Sequence, residues 1–277
     1  RDNLMVTKKH IEQALSEKTK LIIPVHFAGA SANVDSIQRL AEERKIPLVW
    51  DSAHAVGTKY KGNHVGHTGT CIFSFHPNKN MTTGEGGILC SDNPDLVDRI
   101  RRFKFHGLGV DAFGRKIQGR IPQAQVLEPG YKYNLTDISA VLGIQQLAQL
   151  DGSNQKRTEL AMRYQEQLTE IDEILTLSIP SYHMKHSWNL FVVRLNSKSG
   201  FKRDEFLQKL KESKIGTGIH FFPVHQQKYY VEAMSPQPIE LSNTEWNGER
   251  LFSLPLFPKM TEHDVDYVVE TIKEILK

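Results

Sequence analysis

The most chemically suggestive feature of the sequence is a lysine in a loop between two apolar runs. Lys79 lies in the segment Ser74-Phe-His-Pro-Asn-Lys79-Asn, and the glycine-rich turn Gly84-Glu-Gly-Gly87 follows it. A lysine amine forms Schiff bases where a partly desolvated site favours its neutral form. The alternative is a solvated surface lysine, the ordinary state of most of the 35 lysines and arginines. The spacing alone leaves both interpretations open.

An acidic residue stands at the end of an earlier apolar run. Asp51 follows residues 46–50 and is followed by Ser-Ala-His54. In an open α/β sheet, ligands bind outside the carboxyl ends of the strands. We therefore expect Asp51 to point into a site. The alternative is a structural role as a helix N-cap.

The elements that must position these residues alternate along the first half of the chain. Apolar runs predict strands, and an apolar periodicity close to 3.6 predicts helices. The predicted strands span residues 20–26, 46–50, 70–75 and 87–90, and the predicted helices span residues 34–44 and 94–105. This alternation indicates an α/β fold with a largely parallel sheet and helices on both faces.

The second half is organised differently. A helix is predicted over residues 134–150, with Ile138, Val141, Leu142 and Leu147 directed inward, and a second helix over residues 155–168 after Asp151-Gly152. These helices are expected to bridge to a smaller α+β domain. Its predicted strands span residues 189–195 and 215–221, and its predicted helices span residues 203–213 and 262–276. We expect domains at residues 1–150 and 151–277.

Composition excludes several classes of protein. The formal net charge of +3 over 277 residues does not favour nucleic acid or a membrane surface. No run of about 18 apolar residues predicts a membrane span. Cys71 and Cys90 form no CxxC pair, and the histidines show no metal-ligand spacing, so a reduced, cytoplasmic protein without a metal is expected. The polar start without Met predicts an N-terminally truncated chain.

The motifs around Asp51 and Lys79 together resemble the DegT/DnrJ/EryC1/StrS family of sugar aminotransferases. The resemblance continues through Tyr133-Asn134 at a helix start and His186-Ser-Trp-Asn-Leu-Phe191, and it covers essentially the whole chain. It implies the fold-type I architecture, in which a large domain at residues 1–150 binds pyridoxal 5'-phosphate (PLP). It also implies a preceding segment, about a quarter of a family member, that contributes a helix N-terminus to the cofactor phosphate.

The resemblance further implies roles for individual residues. Lys79 would carry PLP as a Schiff base and act as the general base, while Asp51 would pair with the pyridine nitrogen. His54 would contact the ring or its phenolic oxygen, and Ser74 would bind the phosphate.

Three further residues are weaker candidates. Asn134 is implied to reach the phosphate of a partner subunit, in a homodimer with shared sites. Arg120 would meet a phosphate or remain solvated, and His220 would contact substrate or serve as a structural histidine.

A second set of motifs resembles one branch of the family. The branch transfers an amino group between L-glutamate/2-oxoglutarate and C4 of a UDP-linked keto sugar, a 4-keto-pentose, whose product modifies lipid A. Leu135 and Thr136 replace the aromatic residue and arginine of many other members. The segments that carry this resemblance are residues 104–113, 129–137, 216–221, 227–230 and 243–250.

Two alternatives remain beside this interpretation. The chain would act on another nucleotide-linked keto sugar, or it would be an inactive PLP-fold scaffold or fragment. A dehydratase branch of the family replaces the lysine with histidine, and Lys79 argues against that branch.

Overall fold

The fold was analysed in a computed structural model, which describes residues 2–109, 125–233 and 240–277. Arg120 and most of the long loop predicted at residues 107–130 lie outside the described residues. The helices are α1 Lys8–Ala14, α2 Val34–Arg44, α3 Pro94–Phe103, α4 Asp137–Leu168, α5 Arg203–Glu212, α6 Lys228–Ala233, α7 Ser242–Gly248 and α8 Glu262–Leu276. The strands are β1 Trp50–Asp51, β2 Lys59–Tyr60, β3 Asn63–His64, β4 Cys71–Ser74, β5 Gly87–Cys90, β6 Ile174–Thr176, β7 Met184–Lys185, β8 Phe191–Leu195 and β9 Leu251–Leu254.

The sheet that positions the candidate site has the strand order β1-β4-β5. β1 runs parallel to β4, and β5 returns antiparallel to β4. Residues 20–26, predicted as a strand, instead form the single parallel bridges Ile22↔Leu48 and Val25↔Asp51. Helix α2 covers this sheet with Ile37, which is fully buried in one cluster with Trp50 and Cys71.

The second half of the chain has its own core and its own sheet, in the order β6-β8-β9. All residues of β8 and β9 are buried, and they pack against α4, α5 and α8. The predicted strand at residues 215–221 is only a bridge from Gly218 to Ser253. The division of the chain at residues 150 and 151 stays a prediction.

The prediction of two helices at residues 134–150 and 155–168 was wrong, because α4 continues without a break from Asp137 to Leu168. Gly152 costs a helix interior about 1 kcal/mol relative to alanine. Leu150, Asn154 and Arg157 are buried on either side of it, and their packing offsets that cost.

The inward orientation predicted for the apolar face of α4 was also wrong. Ile138 is 85% exposed, Val141 61%, Leu142 41% and Leu147 60%. The periodicity of a helix predicts which residues share a face, but it does not say what covers that face.

Candidate active site

The loop that carries Lys79 joins β4 to β5 and is closed at its base by hydrogen bonds. Phe75 N donates to Gly86 O at 2.9 Å, and Thr83 N donates to Phe75 O at 3.0 Å. Gly86 has a φ of 153°, and a Cβ there would lie 2.5 Å from Thr83 Oγ1. The glycine-rich turn is therefore required by the close return of the chain onto β4.

Lys79 is half-buried within this loop. Burial lowers the pKa of its amine, and the negative charge of Asp51 partly opposes that shift. Among the described residues, no side chain forms an ion pair or hydrogen bond with Nζ. The amine thus loses its proton more readily than a solvated lysine and is available to react.

Asp51 ends β1 and is held by its backbone. Its N–H donates to Pro24 O at 2.9 Å, and its carbonyl accepts from His26 N at 2.9 Å. Its Oδ1 accepts from Ala53 N at 3.0 Å in a local turn, and no helix begins there, so Asp51 is not a helix N-cap. Within residues 2–109, 125–233 and 240–277, no donor meets Oδ2. One carboxylate oxygen is therefore left for a ligand.

His54 is 8% exposed and lies near Lys79 and His220. Its Nδ1 accepts from Ala28 N at 3.3 Å, so a neutral ring carries its proton on Nε2. Burial, followed by the positive charges of Lys79 and His220, lowers the pKa of His54 to about 4. His54 is therefore neutral near pH 7 and has an Nε2–H to donate.

His220 lies on the segment that bridges to β9. Its Nδ1 is 2.9 Å from Ser253 Oγ, and that hydroxyl donates to Gly218 O at 3.3 Å. The contact with Ser253 occupies Nδ1 of His220 and leaves Nε2 for another partner. Burial and the charge of Lys79 lower the pKa of His220.

The remaining predicted site residues are Ser74, Asn134 and Arg120. Ser74 ends β4, and its Oγ accepts from His76 N at 3.3 Å, which leaves its hydroxyl proton for another acceptor. Asn134 is exposed; its Nδ2 lies 3.5 Å from Leu135 O, and it lines a hollow with residues 85–89 and α3. The structure does not bring Asn134 to Lys79, and Arg120 lies outside the described residues.

Sequence reasoning missed Asn80, which follows Lys79 directly. Its side chain forms three hydrogen bonds, to Asn154, Ser187 and Asn189. These partners lie 74 to 109 positions away. No local pattern could have identified them.

The part of the chain that the structure describes contains neither a candidate membrane-spanning helix nor a candidate metal site. No described helix combines the length and apolar character needed to cross a bilayer. No group of three or more His, Cys, Asp or Glu side chains there has an arrangement that would hold a metal ion.

The chain is similar over nearly its whole length to known aminotransferases. The chain is 52% identical over 280 residues to the UDP-4-amino-4-deoxy-L-arabinose--oxoglutarate aminotransferase of Shewanella sediminis (strain HAW-EB3), and the match covers 99% of this chain and 72% of that protein. PseC of Helicobacter pylori, an aminotransferase involved in pseudaminic acid biosynthesis, superimposes with a TM-score of 0.88 at 25% identity over 98% of this chain and 71% of its own. Spr1654 of Streptococcus pneumoniae, in its PLP-form, superimposes with a TM-score of 0.86 at 27% identity over 99% of this chain and 73% of its own.

These likenesses confirm the predicted fold class, the fold-type I architecture. Residues 1–273 match the model of one family, the family that the motifs around Asp51 and Lys79 resemble. The chain belongs to the DegT/DnrJ/EryC1/StrS aminotransferase family.

Proposed function

We propose that the site around Lys79 binds PLP and that the protein is a nucleotide-sugar aminotransferase. The observation that carries the proposal is a pair of groups that interact electrostatically, the Lys79 amine with its lowered pKa and the carboxylate of Asp51, whose Oδ2 has no donor among the described residues. The first suits the aldehyde of the cofactor, and the second suits its ring nitrogen. Spr1654 has been solved in both a PLP-form and a PMP-form, which supports the same cofactor here.

Four residues of the chain would bind the cofactor and take part in amino transfer. Asp51 would hold the pyridine nitrogen in its protonated form, and PLP would then supply an electron sink. His54 would donate from Nε2 to the cofactor, because its Nδ1 accepts from Ala28 N. Ser74 would donate its hydroxyl proton to the phosphate. Lys79 would hold the cofactor and would take and return the proton that moves during transfer.

The proposed reaction moves the amino group of L-glutamate to C4 of a UDP-linked 4-keto-pentose. The products are 2-oxoglutarate and UDP-4-amino-4-deoxy-L-arabinose, the amino sugar used for lipid A modification and polymyxin resistance. The 52% identity to the Shewanella sediminis aminotransferase, spread over nearly the whole chain, supports this sugar over others. Another nucleotide-linked keto sugar would use the same Lys79, Asp51 and His54, so the sugar must be settled by product analysis.

We also propose a homodimer that works in the cytoplasm and shares residues between its two sites. The resemblance to the family supports the dimer. Along the first turns of α4, four apolar side chains are each at least 60% exposed, namely Ile138, Val141, Ile144 and Leu147. Asn134, at the start of that helix and away from Lys79, would then serve the partner's site.

The test is a direct assay on the full-length protein. PLP-loaded enzyme is incubated with L-glutamate and the UDP-4-keto-pentose, and mass spectrometry follows the nucleotide sugar. We expect a UDP-amino-pentose and a stoichiometric amount of 2-oxoglutarate. If the protein binds PLP but yields neither product, the proposal is contradicted, and the result favours an inactive PLP-fold scaffold.

A further inference from the structure

The residue after Lys79 is the centre of a directional chain of three side-chain amides. Asn189 Nδ2 donates to Asn80 Oδ1 at 2.8 Å, and Asn80 Nδ2 donates to Asn154 Oδ1 at 2.7 Å. Asn154 Nδ2 then donates to Val56 O at 3.1 Å. Each amide has only one orientation that satisfies its neighbours, because every donor in the chain faces an acceptor.

Asn80 uses its second N–H as well. Nδ2 also donates to Ser187 O at 2.6 Å, so both amide protons and the carbonyl oxygen of this side chain are bonded within the protein. Asn154 is 1% exposed, Ser187 1% and Asn189 5%. The partners of Asn80 are therefore buried, and a buried polar group that loses its hydrogen-bond partner costs free energy.

The partners of Asn80 belong to the elements that surround the candidate site. Asn154 lies in α4, and its bond to Val56 O fixes the loop that follows Asp51 and His54. The space around that loop is tight, since a Cβ at Gly57 would lie 2.3 Å from Asn154 Nδ2.

Ser187 and Asn189 lie in the segment that leads into β8. The same segment is held from α4 by Arg157, whose Nη1 donates to Trp188 O at 3.3 Å, and from the first half of the chain by Gly29 O, which accepts from Ser187 N at 3.0 Å. Asn80 therefore ties the lysine loop to a segment that is itself fixed on two sides.

We propose that Asn80 is a positioning residue, which fixes the amine of Lys79 relative to Asp51 and His54 by bonding the lysine loop to α4 and to residues 187–189. The proposal rests on the proposed function, in which Lys79 is the reactive amine. Asn80 itself touches none of the reacting groups. Its hydrogen bonds to the buried amides restrict the backbone of the lysine loop after β4 to one conformation, and this fixes the position of Lys79.

The fixed position of the loop keeps the Lys79 amine partly buried. The groups that face it are Asp51, His54 and His220, and burial is the largest influence on its proton affinity. Releasing the loop would expose the amine to water. Its pKa would then rise towards that of an ordinary lysine, and its distance to Asp51 would no longer be fixed.

The experiment compares Asn80→Ala with Asn247→Ala. Asn247 is also a buried asparagine, 3% exposed, whose Nδ2 donates to Asn243 O at 2.8 Å within α7, far from the lysine loop in sequence. In cofactor-free protein, competitive labelling with acetic anhydride across a pH series, read by mass spectrometry, gives the titration midpoint of Lys79. We expect Asn80→Ala to raise that midpoint towards the value of a solvated lysine. Asn247→Ala should leave the midpoint unchanged at a comparable loss of stability in urea.

In PLP-loaded protein, Asn80→Ala should lower kcat at least tenfold while KM for glutamate changes less than threefold. If Asn80→Ala does not fold, Asn189→Ala removes one of the three bonds, and it should shift the Lys79 midpoint in the same direction by a smaller amount. An equal Lys79 titration in the Asn80 and Asn247 variants, or an unchanged midpoint in Asn189→Ala, would overturn the proposal. Failure of the proposed function looks different, because borohydride would then fix the cofactor on a lysine other than Lys79 in the unsubstituted protein.

Discussion

His54 and Lys79 lie close enough that the lysine charge helps to keep the imidazole neutral, with the pKa of His54 lowered to about 4. Burial is the larger cause, and the hydrogen bond from Ala28 N to Nδ1 decides which nitrogen keeps the proton. Asp51 acts in the opposite sense, since its charge raises the pKa of Lys79 against the effect of burial. The site thus combines the carboxylate of Asp51, the neutral imidazole of His54 and an amine, Lys79, whose pKa is lowered by burial.

The first prediction is that Lys79 is the residue that carries PLP. Borohydride reduction of the loaded protein, followed by peptide mapping, should place the pyridoxyl group on Lys79. Lys79→Ala should abolish turnover, because both the attachment and the proton transfer are lost. The control is Lys211→Ala, in the last turn of α5, which should retain full activity. A pyridoxyl group on another lysine would refute the assignment.

The second prediction concerns Asp51→Asn. The asparagine oxygen can still accept from Ala53 N, so the free energy of unfolding should change little. The charge-assisted bond to the ring nitrogen is lost, and such bonds contribute about 1.5–3 kcal/mol. Turnover should fall by at least tenfold, as measured by kcat with PLP bound and compared with the urea midpoint. Near-normal kcat at full PLP occupancy would exclude the proposed role.

The third prediction is a loss of stability in mild acid that depends on His26. This side chain is 1% exposed, its Nδ1 accepts from Ala32 N at 3.0 Å, and burial lowers its pKa to about 4. In the unfolded chain, a histidine has a pKa of about 6.5 and binds a proton at pH values at which the folded protein keeps His26 neutral. The stabilisation is present above pH 6.5 and is lost as the pH falls towards 4.

Between pH 8 and pH 5, His26 alone should account for about 2 kcal/mol of lost unfolding free energy, at 1.36 kcal/mol per pKa unit. Urea unfolding of His26→Gln should therefore show a smaller pH dependence, since the glutamine oxygen can accept a hydrogen bond but cannot take up a proton. His263→Gln, at a solvent-exposed position, is the matched control and should behave as the unsubstituted protein does. Equal pH dependence in both variants would contradict the assignment to His26.

Elements with strong local signals were predicted to the residue. Helix α2 has Asn33 as its N-cap, and α8 has a capping box between Thr261 and Asp264, so both could be bounded from sequence. β5 was also predicted with its observed bounds, because a glycine-rich turn precedes it. β9 was missed, since a buried run of four residues has no periodicity that separates a strand from other buried segments.

The candidate site could be predicted only as far as its motifs are continuous in sequence. Asp51, His54 and Lys79 lie in two short motifs, and the electrostatic coupling among them agrees with the prediction that they face one site. Asn80 could not be predicted, because its bonds reach Asn154 and Asn189 across the fold. No spacing of residues in the sequence predicts a hydrogen bond between two buried amides that are distant along the chain.

The fourth prediction is that two chains share their active sites. Lys79→Ala removes the reactive amine from one subunit, and Asn134→Ala removes the group proposed to reach the partner's cofactor. A mixed dimer of full-length chains should regain one working site of its two, measured as turnover after co-refolding. Each parent variant refolded alone is the control. If mixing restores no activity while both variants still dimerise, the shared-site proposal fails.

The fifth prediction is a preference for a pentose. The segments that resemble the pentose branch lie around the long loop and in the second half of the chain, and none of them contains Lys79, Asp51 or His54. A pentose lacks the C6 group of a hexose, so the pocket beside C5 should be tight. One carbon in such a pocket discriminates by about 1–3 kcal/mol, which corresponds to about 10- to 200-fold in kcat/KM. A competition between a UDP-4-keto-pentose and a UDP-4-keto-6-deoxyhexose should therefore favour the pentose by at least tenfold while leaving measurable activity on the hexose. A higher kcat/KM for the hexose would overturn the proposed sugar but not the proposed amino transfer, because both sugars would use the same lysine.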